Sequence, residues 1–290
     1  MEAPQLQLIS ANGQQLAVWD WPGDDPPFLF AHATGFHARC WDRIIRMFPG
    51  RHCIALDARG HGHSSQPELP CLWRDLGKDL AAVAGRLNLR HALGIGHSSG
   101  GHMTVQAAAE RPETYAALLL LDPTIYPREE YGKPGPDASF TLRRRAVWNS
   151  ADEMFERFRG RHPFSLWQPG ILRDYCDFGI LPQGSEYVLA CPPAVEASIY
   201  ENSKTSGCDV YPEIAAIRQP VVVMRGGIQR MPGTFDPAAS PTAADLASKF
   251  ANGRDLVLPG CSHYIPMEMP GRVAEEIGRL SAEISLTLVC

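Results

Sequence analysis

Short apolar runs recur through the first third of the chain, each closed by a polar residue or a glycine. Gln15 to Trp19 reads as a strand stopped by Trp21-Pro22-Gly23, and Pro27 to Ala31 is an apolar run ending at His32. Cys53 to Leu56 ends at Asp57, Ala92 to Ile95 ends at Gly96, and Ala116 to Leu121 runs without interruption into Asp122-Pro123. Between these runs lie helical stretches at Trp41 to Met47, at Asp75 to Leu87, where apolar residues fall at helical spacing, and at Gly101 to Glu110. Strands this short and apolar, alternating with helices, predict a parallel sheet covered on both faces.

The pattern changes after Pro123. Residues 126–214 are richer in charge, proline and aromatic side chains and contain no strong strand. They read as a mostly helical cap inserted into the sheet domain, which leaves 1–125 and 215–290 as the core domain. The alternation resumes with a strand at Pro220 to Met224, a helix near Ala243 to Phe250, a strand at Asp255 to Leu258 and a closing helix near Pro270 to Leu280.

Composition narrows the class. With 290 residues, 44% hydrophobic and 20% charged, the chain has the make-up of a globular enzyme. A net charge of −5 offers no basic field for nucleic acid. No apolar run reaches the roughly 18 residues that a membrane span needs. Met1 to Asn12 lacks the basic and hydrophobic regions of a signal peptide, so a cytoplasmic location is expected. The eight cysteines are scattered, without a CxxC pair or zinc-ligand spacing, and read as reduced small hydrophobes. No metal and no cofactor are expected. The expected partner is a small-molecule ester substrate, bound by a monomer or homodimer.

The chemistry begins at Gly94-Ile-Gly96-His-Ser98-Ser-Gly100-Gly101, between a predicted strand and a predicted helix. A G-x-S-x-G at that junction is a nucleophile elbow, a turn in which the serine takes a strained backbone conformation beside a helix N-terminus. Ser98 has glycine two positions before and two after it, whereas Ser99 would have His97 where a small residue is required.

Three further segments extend the pattern: Phe28-Leu-Phe-Ala-His32-Ala33-Thr34-Gly35, Asp57-Ala-Arg59-Gly60-His61-Gly62-His-Ser64, and Gly260-Cys-Ser-His263-Tyr-Ile-Pro266-Met-Glu268. With the elbow they resemble the α/β hydrolases over most of the chain outside the cap. The resemblance implies an eight-stranded, mostly parallel sheet flanked by helices, with the active site under the cap. It also implies that Ser98 is the nucleophile, that His263 is its general base, and that the backbone N–H groups of Thr34 and Ser99 form the oxyanion hole. The Thr34 hydroxyl is a candidate third donor. His32 and His61 read as loop braces, and His97 as facing away from the nucleophile. One departure is Ala33, which stands where the family's His-Gly pair has glycine.

The acid is less direct. The family usually carries it after the seventh strand, where this chain has Met224-Arg-Gly226-Gly-Ile-Gln229. Two aspartates keep the order serine, acid, histidine. Asp122 ends the sixth strand, where some relatives carry their acid, and Asp236 is reachable if the following loop folds back. A serine at the elbow argues against dehalogenase and epoxide-hydrolase chemistry, both of which use aspartate there in this family. The expected reaction is hydrolysis of a small or medium carboxylic ester, or a lactone. The alternatives are hydrolysis of a carbon–carbon bond or thioester by the same triad, and a ligand-binding protein that has kept the fold. The aromatic side chains of 126–214, such as Trp148, Phe158, Trp167 and Tyr175, either line an apolar pocket or form the segment's own core. Arg143-Arg144-Arg145 either meets an acidic substrate or is a solvated face.

Overall fold

Alternating side chains on successive strands bury both faces of one sheet. The computed structural model describes residues 3–228 and 236–289. Strands β1 (Gln5–Ala11), β2 (Gln14–Trp21), β3 (Asp24–Ala31), β4 (Arg51–Leu56), β5 (Ala92–His97), β6 (Tyr115–Leu121), β7 (Val221–Gly226) and β8 (Gly253–Leu258) form an eight-stranded sheet in the order β1-β2-β4-β3-β5-β6-β7-β8. β2 is antiparallel to its neighbours β1 and β4, and the remaining pairings are parallel. The longer helices are α1 (Trp73–Arg86), α2 (Ser99–Glu110), α3 (Ala151–Phe158), α4 (Pro169–Phe178), α5 (Pro193–Glu201) and α6 (Pro270–Val289).

Leu118 and Leu120 of β6, with Val221 and Val223 of β7, face one core layer, which Leu76 and Leu80 of α1 and Val105 of α2 complete. Leu119, Leu121, Val222 and Met224 face the other layer, closed by Val273, Ile277 and Leu280 of α6. Each such side chain contributes about 2 kcal/mol by leaving water. Uninterrupted apolar runs are what a strand covered on both faces requires. This is the α/β-hydrolase fold that the sequence predicts.

Several elements differ from expectation. β1 escaped notice because it is an edge strand of partly exposed residues, paired on one side only. Trp41 to Met47 forms a 3-10 turn, Ala38–Trp41, leading into a single helical turn, Asp42–Ile45. The helix expected at Ala243 to Phe250 is only a 3-10 turn at Leu246–Lys249. The chain before it is tied elsewhere: Ala243 N–H donates to Ile125 O at 2.9 Å, and the Ser240 and Thr242 hydroxyls reach toward the end of β6. The segment 126–214 contains α3, α4 and α5, but also a small antiparallel sheet of Val147–Trp148, Ile180–Gln183 and Glu186–Leu189. Its hairpin turns at Gly184, which has φ +63°. Trp148, Trp167, Tyr175 and Ile171 of this segment pack with Phe36 and Met267 in a third apolar cluster above the strand ends. The seven described cysteines are free and buried. Among the described residues no helix is long and apolar enough to cross a membrane.

The turn from β5 into α2 is the most constrained point of the backbone. Ser98 has φ +56° and ψ −120°, and its N–H donates to Leu121 O at 3.0 Å. A Cβ at Gly100 would stand 2.1 Å from Ala31 O of β3, and one at Gly96 would stand 2.4 Å from Gly100 O. Both neighbours are backbone, so no rotamer change relieves the overlap. Gly100→Ala is therefore expected to destabilise the fold by about 3 kcal/mol or to displace the turn. Thermal denaturation measures the first effect. A variant with unchanged midpoint and unchanged reactivity at Ser98 would contradict this account of the turn.

Candidate active site

Three side chains from distant parts of the chain meet at the carboxyl ends of β5 and β6. His263 Nε2 lies 2.9 Å from Ser98 Oγ, and His263 Nδ1 lies 2.7 Å from Asp122 Oδ2. A carboxylate can only accept, so Nδ1 carries the proton and the Nε2 lone pair faces the serine hydroxyl. Ser98 Oγ then donates to Nε2 and accepts from the Thr124 hydroxyl, 3.0 Å away. Thr124 N–H also donates to Ser98 O at 3.0 Å. Ser98 and His263 are each nearly buried yet open onto the same cavity.

Asp122 is fully buried and has φ +42°. Its Oδ1 accepts from Gly226 N–H at 2.9 Å and from Ser240 Oγ at 2.7 Å, while Thr242 Oγ1 stands 3.3 Å away and gives its one proton to Pro123 O at 2.7 Å. The other oxygen is left for His263. The alternative acid, Asp236, does not reach the imidazole. It accepts from Ala238 N–H at 2.8 Å and from His162 at 3.3 Å, on a half-exposed rim. The Ala238 N–H bond holds the Asp236 carboxyl below its usual range. What binds the loop to His263 is backbone, Ala238 O accepting from His263 N–H at 2.8 Å. Gln229, which stands where the family's usual acid is expected, lies outside the described residues.

Thr34 and Ser99 are brought side by side: the Thr34 hydroxyl donates to Ser99 Oγ at 3.0 Å and is not directed into the cavity as a third donor. Ser99 opens α2, so its N–H has no intrahelical acceptor. In the loop after β3 the left-handed residue is Gly35, at φ +80°, so Ala33 occupies its place without needing glycine's freedom.

The neighbouring histidines tie loops together. His61 Nε2 accepts from Gly35 N–H at 3.0 Å while its Nδ1–H donates to Arg59 O, and His32 joins Ala58 N–H to Ala33 O in the same way. Burial pushes both down to about 3. His97 donates from Nε2 to the His263 carbonyl at 2.9 Å, so it supports the histidine loop from beneath. Burial, then the nearby His263, holds it well below its ordinary value. His102 is likewise lowered to about 4 by burial.

The sequence reading missed Thr124, Ser240, Thr242 and the supporting role of His97. Hydroxyl residues two positions past an aspartate or in a loop carry no motif, and only the tertiary fold brings them to the acid. The cavity above Ser98 has a volume of about 540 Å³. Its walls include Phe36, Trp148, Trp167, Tyr175 and Tyr264, so aromatic residues of 126–214 both line it and form their own core. Arg144 enters the wall paired with the buried Glu196 and 3.2 Å from the Tyr175 hydroxyl.

This arrangement of sheet and site is that of a hydrolase fold, and comparison with known proteins agrees. A profile of the alpha/beta hydrolase family matches residues 28–276, and the chain belongs to that family. It is 27% identical over 252 residues to 2-(acetamidomethylene)succinate hydrolase of Mesorhizobium japonicum, covering 84% of this chain and 83% of the relative. A crystal structure of E-2-(acetamidomethylene)succinate hydrolase superposes with a TM-score of 0.78 at 22% identity, over 95% of this chain and 98% of that one. The enol-lactonase of Burkholderia xenovorans LB400 is similar in fold, with a TM-score of 0.69 at 19% identity over 95% of this chain and 100% of that one. Type I acyl-CoA thioesterase mpaH of Penicillium brevicompactum is 29% identical over 151 residues, 46% of this chain and 35% of the relative.

The buried histidines give a stability prediction. Unfolded, each takes a proton near 6.5, while folded His32 and His61 stay neutral to about 3. The unfolded state binds more protons in that window, so their contribution is complete above 6.5 and is lost as pH falls. The urea midpoint is expected to drop between pH 7 and pH 5.5, tending toward about 1.4 kcal/mol per pH unit for each buried histidine. A midpoint that does not move over this range would show that these imidazoles charge in place.

Proposed function

We propose that the chain is a serine hydrolase acting on a small or medium carboxylic ester through Ser98, His263 and Asp122. The observation that carries this reading is the continuous hydrogen-bonded line from the Ser98 hydroxyl through the His263 imidazole to the Asp122 carboxylate. In this reading Ser98 Oγ attacks the carbonyl carbon as its proton passes to His263 Nε2. Asp122 holds the tautomer and stabilises the imidazolium that forms. The N–H groups of Thr34 and Ser99 receive the oxyanion, each donor lowering the barrier by about 3 kcal/mol. The imidazolium returns its proton to the leaving alkoxide, and water then releases the acid by the same route. Thr124, bonded to the nucleophile, fixes the hydroxyl rotamer in the resting site.

Segment 126–214 acts as the lid, and the cavity beneath it sets the size of the acyl or alcohol part. A lactone meets the same requirements, which the similarity to an enol-lactonase favours. A thioester is the second reading, favoured by the relative named as an acyl-CoA thioesterase.

A fluorophosphonate probe should label the protein at Ser98 and leave Ser98→Ala unlabelled. On any ester that is turned over, Asp122→Asn should lower kcat by about 10⁴-fold, as loss of the correct tautomer does in serine hydrolases, while Asp236→Asn should stay within about twofold, as a substitution outside a transition-state interaction does. Equal labelling of Ser98→Ala, or the larger loss in Asp236→Asn, would refute the assignment.

A further inference from the structure

Charge around the cavity is unevenly neutralised. In its wall, Arg144 is cancelled by Glu196, and the surrounding surface is aromatic. At the rim the balance differs. The stretch from α3 onward carries arginine at 157, 159 and 161. Arg159, which does not line the cavity, is paired with Glu156 at 2.8 Å. Arg157 and Arg161, which do line it, are exposed and have no carboxylate within ion-pair distance among the described residues. The other acids of α3, Asp152 and Glu153, are taken by Arg173 and Arg145. Arg143 also lines the rim; it bonds the Ser139 hydroxyl at 3.4 Å and, together with the stronger Ser139 N–H bond, helps hold the nearby Asp137 carboxyl below its usual range, though not at ion-pair distance. Asp236 on this rim bonds His162, which cancels its charge only when protonated, so at neutral pH it offsets one of the arginines.

The entrance thus gathers three guanidiniums that, among the described residues, have no carboxylate at ion-pair distance, against the single rim acid Asp236, on a chain whose net charge is −5. Like charges brought together at a mouth repel one another, and a low-dielectric wall behind them focuses their field outward. The interior offers the opposite environment, largely aromatic and with Arg144 closed on Glu196. Such a site is complementary to a molecule that is neutral at the scissile bond and anionic a short distance away. Guanidinium binds carboxylate and phosphate in the same forked geometry, so the chemistry shared by both is what the rim recognises.

We infer that the substrate of this site carries a carboxylate or phosphate remote from the bond that is cleaved, and that Arg143, Arg157 and Arg161 receive it at the cavity mouth. This rests on the serine-hydrolase reading, and the test separates the two. Two matched pairs are compared: p-nitrophenyl butyrate against mono-p-nitrophenyl glutarate, and the N-acetylcysteamine thioester of butyrate against butyryl-CoA. The first pair places the charge on the acyl part as carboxylate, and the second places it on the leaving group as phosphate.

In at least one pair the anionic member should have the higher kcat/KM, by tenfold or more at low salt. The preference should shrink as ionic strength rises and the Debye length falls from about 30 Å to below 10 Å. It should also fall at least fivefold in the double variant R157Q/R161Q. Preference for the neutral member in both pairs, or an anionic preference that neither salt nor the double variant changes, overturns the inference while the hydrolase reading stands. If none of the four is cleaved, labelling of Ser98 by a fluorophosphonate is timed with and without millimolar glutarate or CoA. Slower labelling, restored in R157Q/R161Q, supports the inference, and no protection by either anion overturns it. Absence of labelling altogether removes the hydrolase reading itself.

Discussion

The buried carboxylate of Asp122 is the interaction on which the site depends. A charge at zero exposure costs several kcal/mol unless donors replace the water it loses. Here the replacements come from the amide of Gly226, the hydroxyl of Ser240 and the imidazole of His263. Three stretches of chain after β6 are thereby pinned to one pair of oxygen atoms. Because two donors converge on Oδ1, the remaining oxygen is aimed in one direction, and the imidazole follows it. The departure from helix near Ala243 has the same origin: residues 240–243 are held by β6 and cannot also wind.

Around this charge the molecule keeps other histidines uncharged. His32, His61 and His97 each bond backbone of a neighbouring loop while buried. Hydrogen bonds from neutral imidazole supply direction without adding positive charge beside the ring of His263. His97 is the clearest case. It sits one residue before Ser98 in sequence, yet its hydrogen bond is to the loop that carries His263.

Much of this was legible in the sequence, for reasons tied to particular residues. The sheet could be read from uninterrupted runs such as Ala116 to Leu121, since a strand covered on both faces needs no polar positions. The elbow could be read because Gly96 and Gly100 are each forced by backbone contact, and forced glycines leave a spaced signature. The acid could be narrowed only to Asp122 or Asp236, because order along the chain is shared by both, and the deciding fact is which carboxylate faces an imidazole 141 residues away. β1 and the small sheet of 126–214 were hidden for a different reason. β1 alternates half-buried with exposed positions but buries none of them fully, and the strands of the small sheet are only 2 to 4 residues long.

The contact between Glu196 and Gly35 bears on how modular this architecture is. A side chain at position 35 would press on the carboxylate of Glu196, its Cβ standing 2.8 Å from the nearer oxygen. The inserted segment and the loop after β3 are therefore shaped to each other like a key cut for one ward. A different segment grafted in place of 126–214, without a carboxylate at that point, would leave a hollow over Gly35, beside the residue that precedes it in the loop, Thr34. Such an exchange then becomes a two-part operation, in which the recipient loop has to be recut along with the graft.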